Sequence, residues 1–177
     1  MIKIMIIAGI LLSEIAAAQT PVNPIISKYG TVFEVPFAVA NTGSKSTYKI
    51  LVDIVSLNGS PCWEINESID NIARIINLHS LAGVSKEKIK LAVIIHGPAI
   101  MTILNNEAYK QKFGVSNPNL PIFTALKEAG VELFVCGQTL FKRKVDLKDI
   151  APEILPTISA ITTITNYSAK GYTLLKY

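Results

Sequence analysis

Cys136 stands where a β-rich run, Val131-Glu-Leu-Phe-Val135, comes to an end, and Gly137 follows it. A thiol in that place, with a glycine that permits close backbone approach and a helical start beyond, can meet free amides that stabilise a thiolate or a bound anion. Lys142, Arg143 and Lys144 follow within about two helical turns and would lower the thiol pKa further. The thiolate is the reacting form of cysteine, so nucleophilic or sulfur-transfer chemistry is one reading of Cys136. The other is a buried strand-end cysteine that packs as a small hydrophobe, with the basic triplet a solvated face.

Two further features belong with it. Ile89-Lys-Leu-Ala-Val-Ile-Ile95 stops at His96-Gly97-Pro98, where the imidazole could act as a base, as an anion donor or as a hydrogen-bonded structural residue. Cys62 follows Ser60-Pro61 in the turn after an earlier strand. If the first and third strands are neighbours, as in a flavodoxin-like order, Cys62 and Cys136 can approach. They would then be a disulfide or a reactive redox pair; otherwise they are free and unrelated. His79 lies on an apolar helix stripe and reads as a packing residue.

The elements that must position these residues are legible from hydrophobic patterning. Tyr48–Val55 is β-rich, and Ile65, Ile69, Ile72 and Ile76 recur at helical spacing. Ile89–Ile95 is nearly continuous in apolar residues, as a strand covered on both faces requires. Helical stretches are expected at 99–112 and 118–129, a strand at 131–135 and a short helical or irregular piece at 138–155. A weaker strand near 157–161, a helix near 162–170 and a closing strand near 172–176 complete the pattern. Alternation of strand and helix predicts an α/β fold with a mainly parallel five-stranded sheet in three layers. Ligands of such sheets sit beyond the carboxyl ends of the strands, the edge at which His96, Cys136 and the Asn58–Cys62 turn arrive.

Composition narrows the class. The 177 residues are 50% hydrophobic and 17% charged, against roughly 25% charged in an average soluble domain. Such a chain is not disordered, and two cysteines are too few for a disulfide scaffold. No apolar run reaches the roughly 18 residues of a membrane-spanning helix, so no membrane insertion of the mature chain is expected. The net charge of +4 is too small to argue for nucleic acid. Lys3, the apolar stretch Ile4–Leu12 and Ala16-Ala17-Ala18 before Gln19-Thr20-Pro21 predict a signal peptide cleaved after Ala18, hence export to a periplasm or beyond the cell. Residues 19–47, with three prolines, are expected to form an arm over the domain, anchored by Tyr29, Phe33 and Phe37. Phosphate-binding glycine loops, C-x-x-C, H-E-x-x-H and G-x-S-x-G are all missing from the sequence, so no cofactor or metal is expected.

Residues 48–177 resemble the DsrE/DsrF-like family of sulfur-relay proteins. The resemblance runs through Ala92-Val-Ile-Ile-His-Gly-Pro98, Leu126-Lys-Glu-Ala-Gly-Val-Glu-Leu-Phe-Val-Cys-Gly-Gln-Thr-Leu140, Val145-Asp-Leu, the segment 150–156 and Lys170-Gly-Tyr172. The leader and the arm are similar to those of the family's exported branch. The resemblance implies a flavodoxin-like α/β domain that self-associates as trimers or hexamers. It also implies a strand-end cysteine that accepts sulfane sulfur as a persulfide, a role that falls on Cys136 alone. His96 then borders the site together with Gly97 and Gly137, and partners would be a sulfur donor or acceptor protein or a small sulfur anion. The alternative is a non-catalytic oligomer of the same fold that binds a small anion, or a structural protein with a Cys62–Cys136 bridge.

Overall fold

Residues 20–39 and 46–177 are described by the computed structural model, so the expected leader and its cleavage site lie outside the described residues. Pro21–Val22 (β1) and Val32–Phe33 (β2) pair antiparallel as a small ribbon. The domain proper follows as Tyr48–Ile54 (β3), Glu67–Leu81 (α1), Ile89–Ile95 (β4), Asn106–Phe113 (α2) and Leu120–Glu128 (α3). It continues with Glu132–Cys136 (β5), Gly137–Arg143 (α4), Leu155–Thr157 (β6), Ala160–Ala169 (α5) and Thr173–Lys176 (β7).

Local chemistry sets the helix boundaries. Asn66 caps α1 by accepting from the Ser68 N–H, and Glu67 and Asp70 place acid in the first turn. Asn105 and Ser159 cap α2 and α5 in the same way. The segment after β4 is tighter than an α-helix: Gly97–Ile103 is a 3-10 turn that opens on Pro98.

The five long-range strands form one parallel sheet in the order β6-β5-β4-β3-β7. The chain walks from β3 to β6 in one direction and then returns to place β7 beside β3. The first three crossovers therefore lie on one face, and the return crossover, α5, lies on the other. β4 separates β3 from β5, so the first and third strands of the domain are not neighbours as expected.

Alternation along each strand divides the core accordingly. Ile50, Val52, Ile54, Leu91, Val93, Ile95, Leu133 and Val135 pack beneath α1, α3 and the 97–103 segment in one large apolar cluster. Leu51, Ala92, Ile94 and Cys136 face the other way and meet Ala160 and Tyr167 of α5.

The arm is held by polar contacts as much as by apolar ones. Asn77, fully buried in α1, accepts from the N–H groups of Ile25 (3.0 Å) and Ile26 (2.9 Å) and donates to the carbonyls of Tyr29 (2.9 Å) and Gly30 (3.0 Å). The Gly30 N–H donates to Asp70 Oδ1 at 2.8 Å. A Cβ at Gly30 would meet the Arg74 backbone nitrogen at 2.1 Å, so only glycine lets the arm lie this close to α1. Tyr29 packs against the core, as do Ile26 and Val32, but Phe33 and Phe37 are 47% and 75% exposed. Two of the three expected anchors therefore face outward; strand pairing in β1–β2 turns Val32 inward and its neighbour Phe33 out.

Candidate functional site at the carboxyl edge of β3, β4 and β5

Cys136 is both the last residue of β5 and the N-cap of α4, with no loop between them. This abrupt change of direction depends on Gly137, where a Cβ would stand 2.6 Å from the Thr157 carbonyl oxygen. The thiol is 5% exposed, on the face covered by α5. Burial pushes its pKa up, but hydrogen bonds outweigh this and hold the thiol below its ordinary value. The donors are the Thr139 hydroxyl and the backbone N–H groups of Ala160, Thr139 and Gln138. Three come from the first turn of α4 and one from the start of α5, so the thiolate would be held from both sides.

The ladder from β3 to β4 continues one residue past β4, where the His96 N–H donates to the Ile54 carbonyl at 3.0 Å. Since Ile95 pairs with Val135, His96 comes into register beside Cys136. His96 Nε2 lies 2.7 Å from Asp53 Oδ1. An ionised carboxylate only accepts, so Nε2 donates and carries the hydrogen. Asp53 is almost fully buried, and the His96 side chain is 26% exposed. The Gly97 N–H donates to Thr139 Oγ1 at 3.4 Å, so one hydroxyl links the turn after β4 to the thiol after β5. Gly97 has φ +58, and a Cβ there would crowd Val55.

The structure thus brings His96, Gly97, Cys136 and Gly137 to one edge and adds Asp53 and Thr139 to them. Asp53 was not singled out from the sequence; its signal was a lone carboxylate inside the apolar run Ile50–Val55. Thr139 lay within the Cys-Gly-Gln-Thr-Leu motif without a role. Lys142, Arg143 and Lys144 lie exposed at the opposite end of α4. The lowering of the thiol pKa comes from Thr139 and the amides rather than from this triplet.

Cys62 is half-buried in a small cavity of about 80 Å³ with Met101, Tyr109, Phe113 and Asn119, and its carbonyl accepts from the Tyr109 hydroxyl at 2.9 Å. Both thiols are free. Cys62 therefore sits against α2, Cys136 against α5, and no bridge joins them. His79 packs edge-on against Tyr48 at 4.8 Å and donates from Nδ1 to the Ile75 carbonyl, away from the site. Among the described residues no three His, Cys, Asp or Glu side chains gather as metal ligands would, and no helix is long and apolar enough to cross a membrane.

Fold and edge together define the class: a parallel α/β domain presenting a hydrogen-bonded strand-end thiol next to a His–Asp pair. The chain belongs to the DsrE/DsrF-like family, whose sequence model matches residues 49–177. Its fold is similar to that of a solved protein of unknown function, MTH1491 from Methanobacterium thermoautotrophicum. The TM-score is 0.52 at 14% identity, over 73% of this chain and 99% of that one. No curated protein matches the sequence.

Proposed function

We propose that this protein is a sulfur carrier or sulfurtransferase that accepts sulfane sulfur on Cys136 as a persulfide. The observation that carries the reading is the placement of the buried Cys136 thiol on the loop-free β5–α4 junction beside the Asp53–His96 pair, and the lowering of its pKa by Thr139 and nearby amides agrees with it. Attack by that thiolate on a sulfane sulfur forms the Sγ–S bond and expels the donor's remainder with the electron pair, so no external oxidant is needed. The leader pattern in residues 1–18 supports export after cleavage following Ala18, and the family supports a homo-oligomer.

Intact mass spectrometry of protein incubated with thiosulfate or glutathione persulfide tests the reading. The expected product gains about 32 Da, one sulfur atom, and loses it on reduction. Cys136→Ser should abolish the gain and Cys62→Ser should leave it intact. Undiminished loading of Cys136→Ser, or no loading of the wild type, would sink the proposal and favour a non-catalytic anion-binding role. The mass of the protein from its native compartment reports the cleavage site in the same measurement.

A further inference from the structure

The carboxyl edge carries a hydrogen-bonded Asp53–His96 pair that sulfur loading by itself does not require. Asp53, His96 and Cys136 lie on three adjacent parallel strands or their direct extensions, and all face the α5 side of the sheet. The placement follows from register: Asp53 pairs with Ile94, His96 continues β4 by one residue, and Ile95 pairs with Val135. A carboxylate buried in a strand is expensive unless paired, and here its partner is an imidazole at 2.7 Å. On the far side of Asp53 the residue in register is Lys176 of β7, which is exposed.

With Nε2 engaged on β3, the diverging geometry of the ring turns Nδ1 away from that strand. Among the described residues no hydrogen bond joins the ring to Sγ. His96 therefore does not activate the resting thiol, which has its own donors in Thr139 and the amides. By register it stands instead beside Cys136, on the same face of the sheet. A ring nitrogen with a carboxylate behind it is suited to carrying a proton to a departing group, because the carboxylate fixes the tautomer and balances the imidazolium charge.

Resting on the proposed persulfide chemistry, we infer that His96 is the general acid for the departing thiolate when the donor is an alkyl hydropersulfide, with Asp53 as its positioning residue. The Cys136 thiolate attacks the terminal sulfur of R–S–SH. The Sγ–S bond forms, the donor S–S bond breaks, and its electron pair departs on R–S⁻. His96 in its protonated form, its side chain partly open to solvent, gives its Nδ1 proton to R–S⁻. The products are Cys136–S–SH, R–SH and a neutral His96 that still donates from Nε2 to Asp53. Alkyl thiolates are basic leaving groups and gain from this proton, whereas a sulfinate leaving group does not.

The test compares loading rates, by mass spectrometry, from glutathione persulfide and from benzenethiosulfonate, whose leaving group is a sulfinate. In His96→Gln the rate with glutathione persulfide should fall at least about tenfold further than the rate with benzenethiosulfonate. Asp53→Asn should move the ratio of the two rates in the same direction by a smaller factor, and it serves as the second variant should His96→Gln fold poorly. Equal loss with both donors, or no loss with either, overturns the assignment while leaving Cys136 as a sulfur acceptor. Failure of the wild type to load from either donor overturns the persulfide reading, and the general-acid role falls with it.

Discussion

The two faces of the sheet are made by alternate residues of the same strands, yet they are built to different standards. On one face Ile50, Val52, Ile54, Leu91, Val93 and Ile95 meet a thick apolar layer from α1, α3 and the 97–103 segment. On the other, one helix covers the sheet, and the strand residues include Asp53, the buried thiol of Cys136 and, one step beyond β4, His96. Burial of apolar area is the dominant favourable term in folding, so the first face supplies most of the stability. The second can then hold groups that apolar packing alone would exclude, because their hydrogen bonds are satisfied by rigid elements. Stability and chemistry are separated by the period of two in a β-strand.

Breaking the first face should have the largest effect. Phe123 of α3 is fully buried in the larger cluster. Phe123→Ala should lower unfolding stability by about 3–5 kcal/mol, measured by denaturant titration, through lost transfer energy and a residual cavity. Any protein that remains folded should still load sulfur on Cys136. A persulfide yield that collapses in the folded fraction would show that the faces are coupled.

An intermediate effect is expected at the joint between the site and the rest of the sheet. Gly137→Ala puts a methyl group 2.6 Å from the Thr157 carbonyl, which belongs to backbone and cannot swing aside. Overpacking of this kind costs about 1–3 kcal/mol. Because the relief must come from moving α4 away from β6, the donors around Sγ separate and thiol reactivity should fall as well. Loss of stability with an unchanged pH midpoint of alkylation would argue that the junction is not what sets the thiol.

Legibility in the sequence followed the same division. The core-face elements were readable because their signals are local and periodic: β4 was located at Ile89–Ile95, and the helix through Ile69, Ile72 and Ile76 at its observed place. The strand-end thiol and His96 were readable because chemistry-bearing residues interrupt apolar runs. β6 was less so; Leu155-Pro-Thr157 has no alternation to speak of and lies two residues earlier than the pattern suggested. Strand order was not readable, since it depends on the face over which each crossover passes rather than on any local pattern. The approach of Cys62 to Cys136 failed for that reason, with β4 standing between the two strands. Asp53 was hidden by being a single polar residue in a strand, which takes its meaning only from the register that brings His96 alongside. The lysine–arginine triplet misled because sequence proximity to Cys136 became, along α4, distance from it.

The smallest change should sharpen the comparison most. Thr139→Val keeps the shape of the side chain but removes the hydroxyl that donates to Sγ and accepts from the Gly97 N–H. In stability the variant should differ by no more than about 0.5–1.5 kcal/mol, the net value of a hydrogen bond. In reactivity the midpoint of iodoacetamide alkylation against pH should rise, because one of the groups that lower the thiol pKa is gone while burial still raises it. Burial raises the thiol pKa in both proteins alike, so the difference in midpoint isolates the hydroxyl. The sign in stability follows by linkage: a thiol whose folded pKa lies below its ordinary value of 9.0 stabilises the fold above that value, and the contribution is lost as pH falls through the folded pKa. The stability difference between wild type and Thr139→Val should therefore widen from neutral to alkaline pH. A midpoint that stays put would mean that the amides of Gln138, Thr139 and Ala160 hold the thiolate without the hydroxyl, leaving Thr139 as a strut between the turns after β4 and β5.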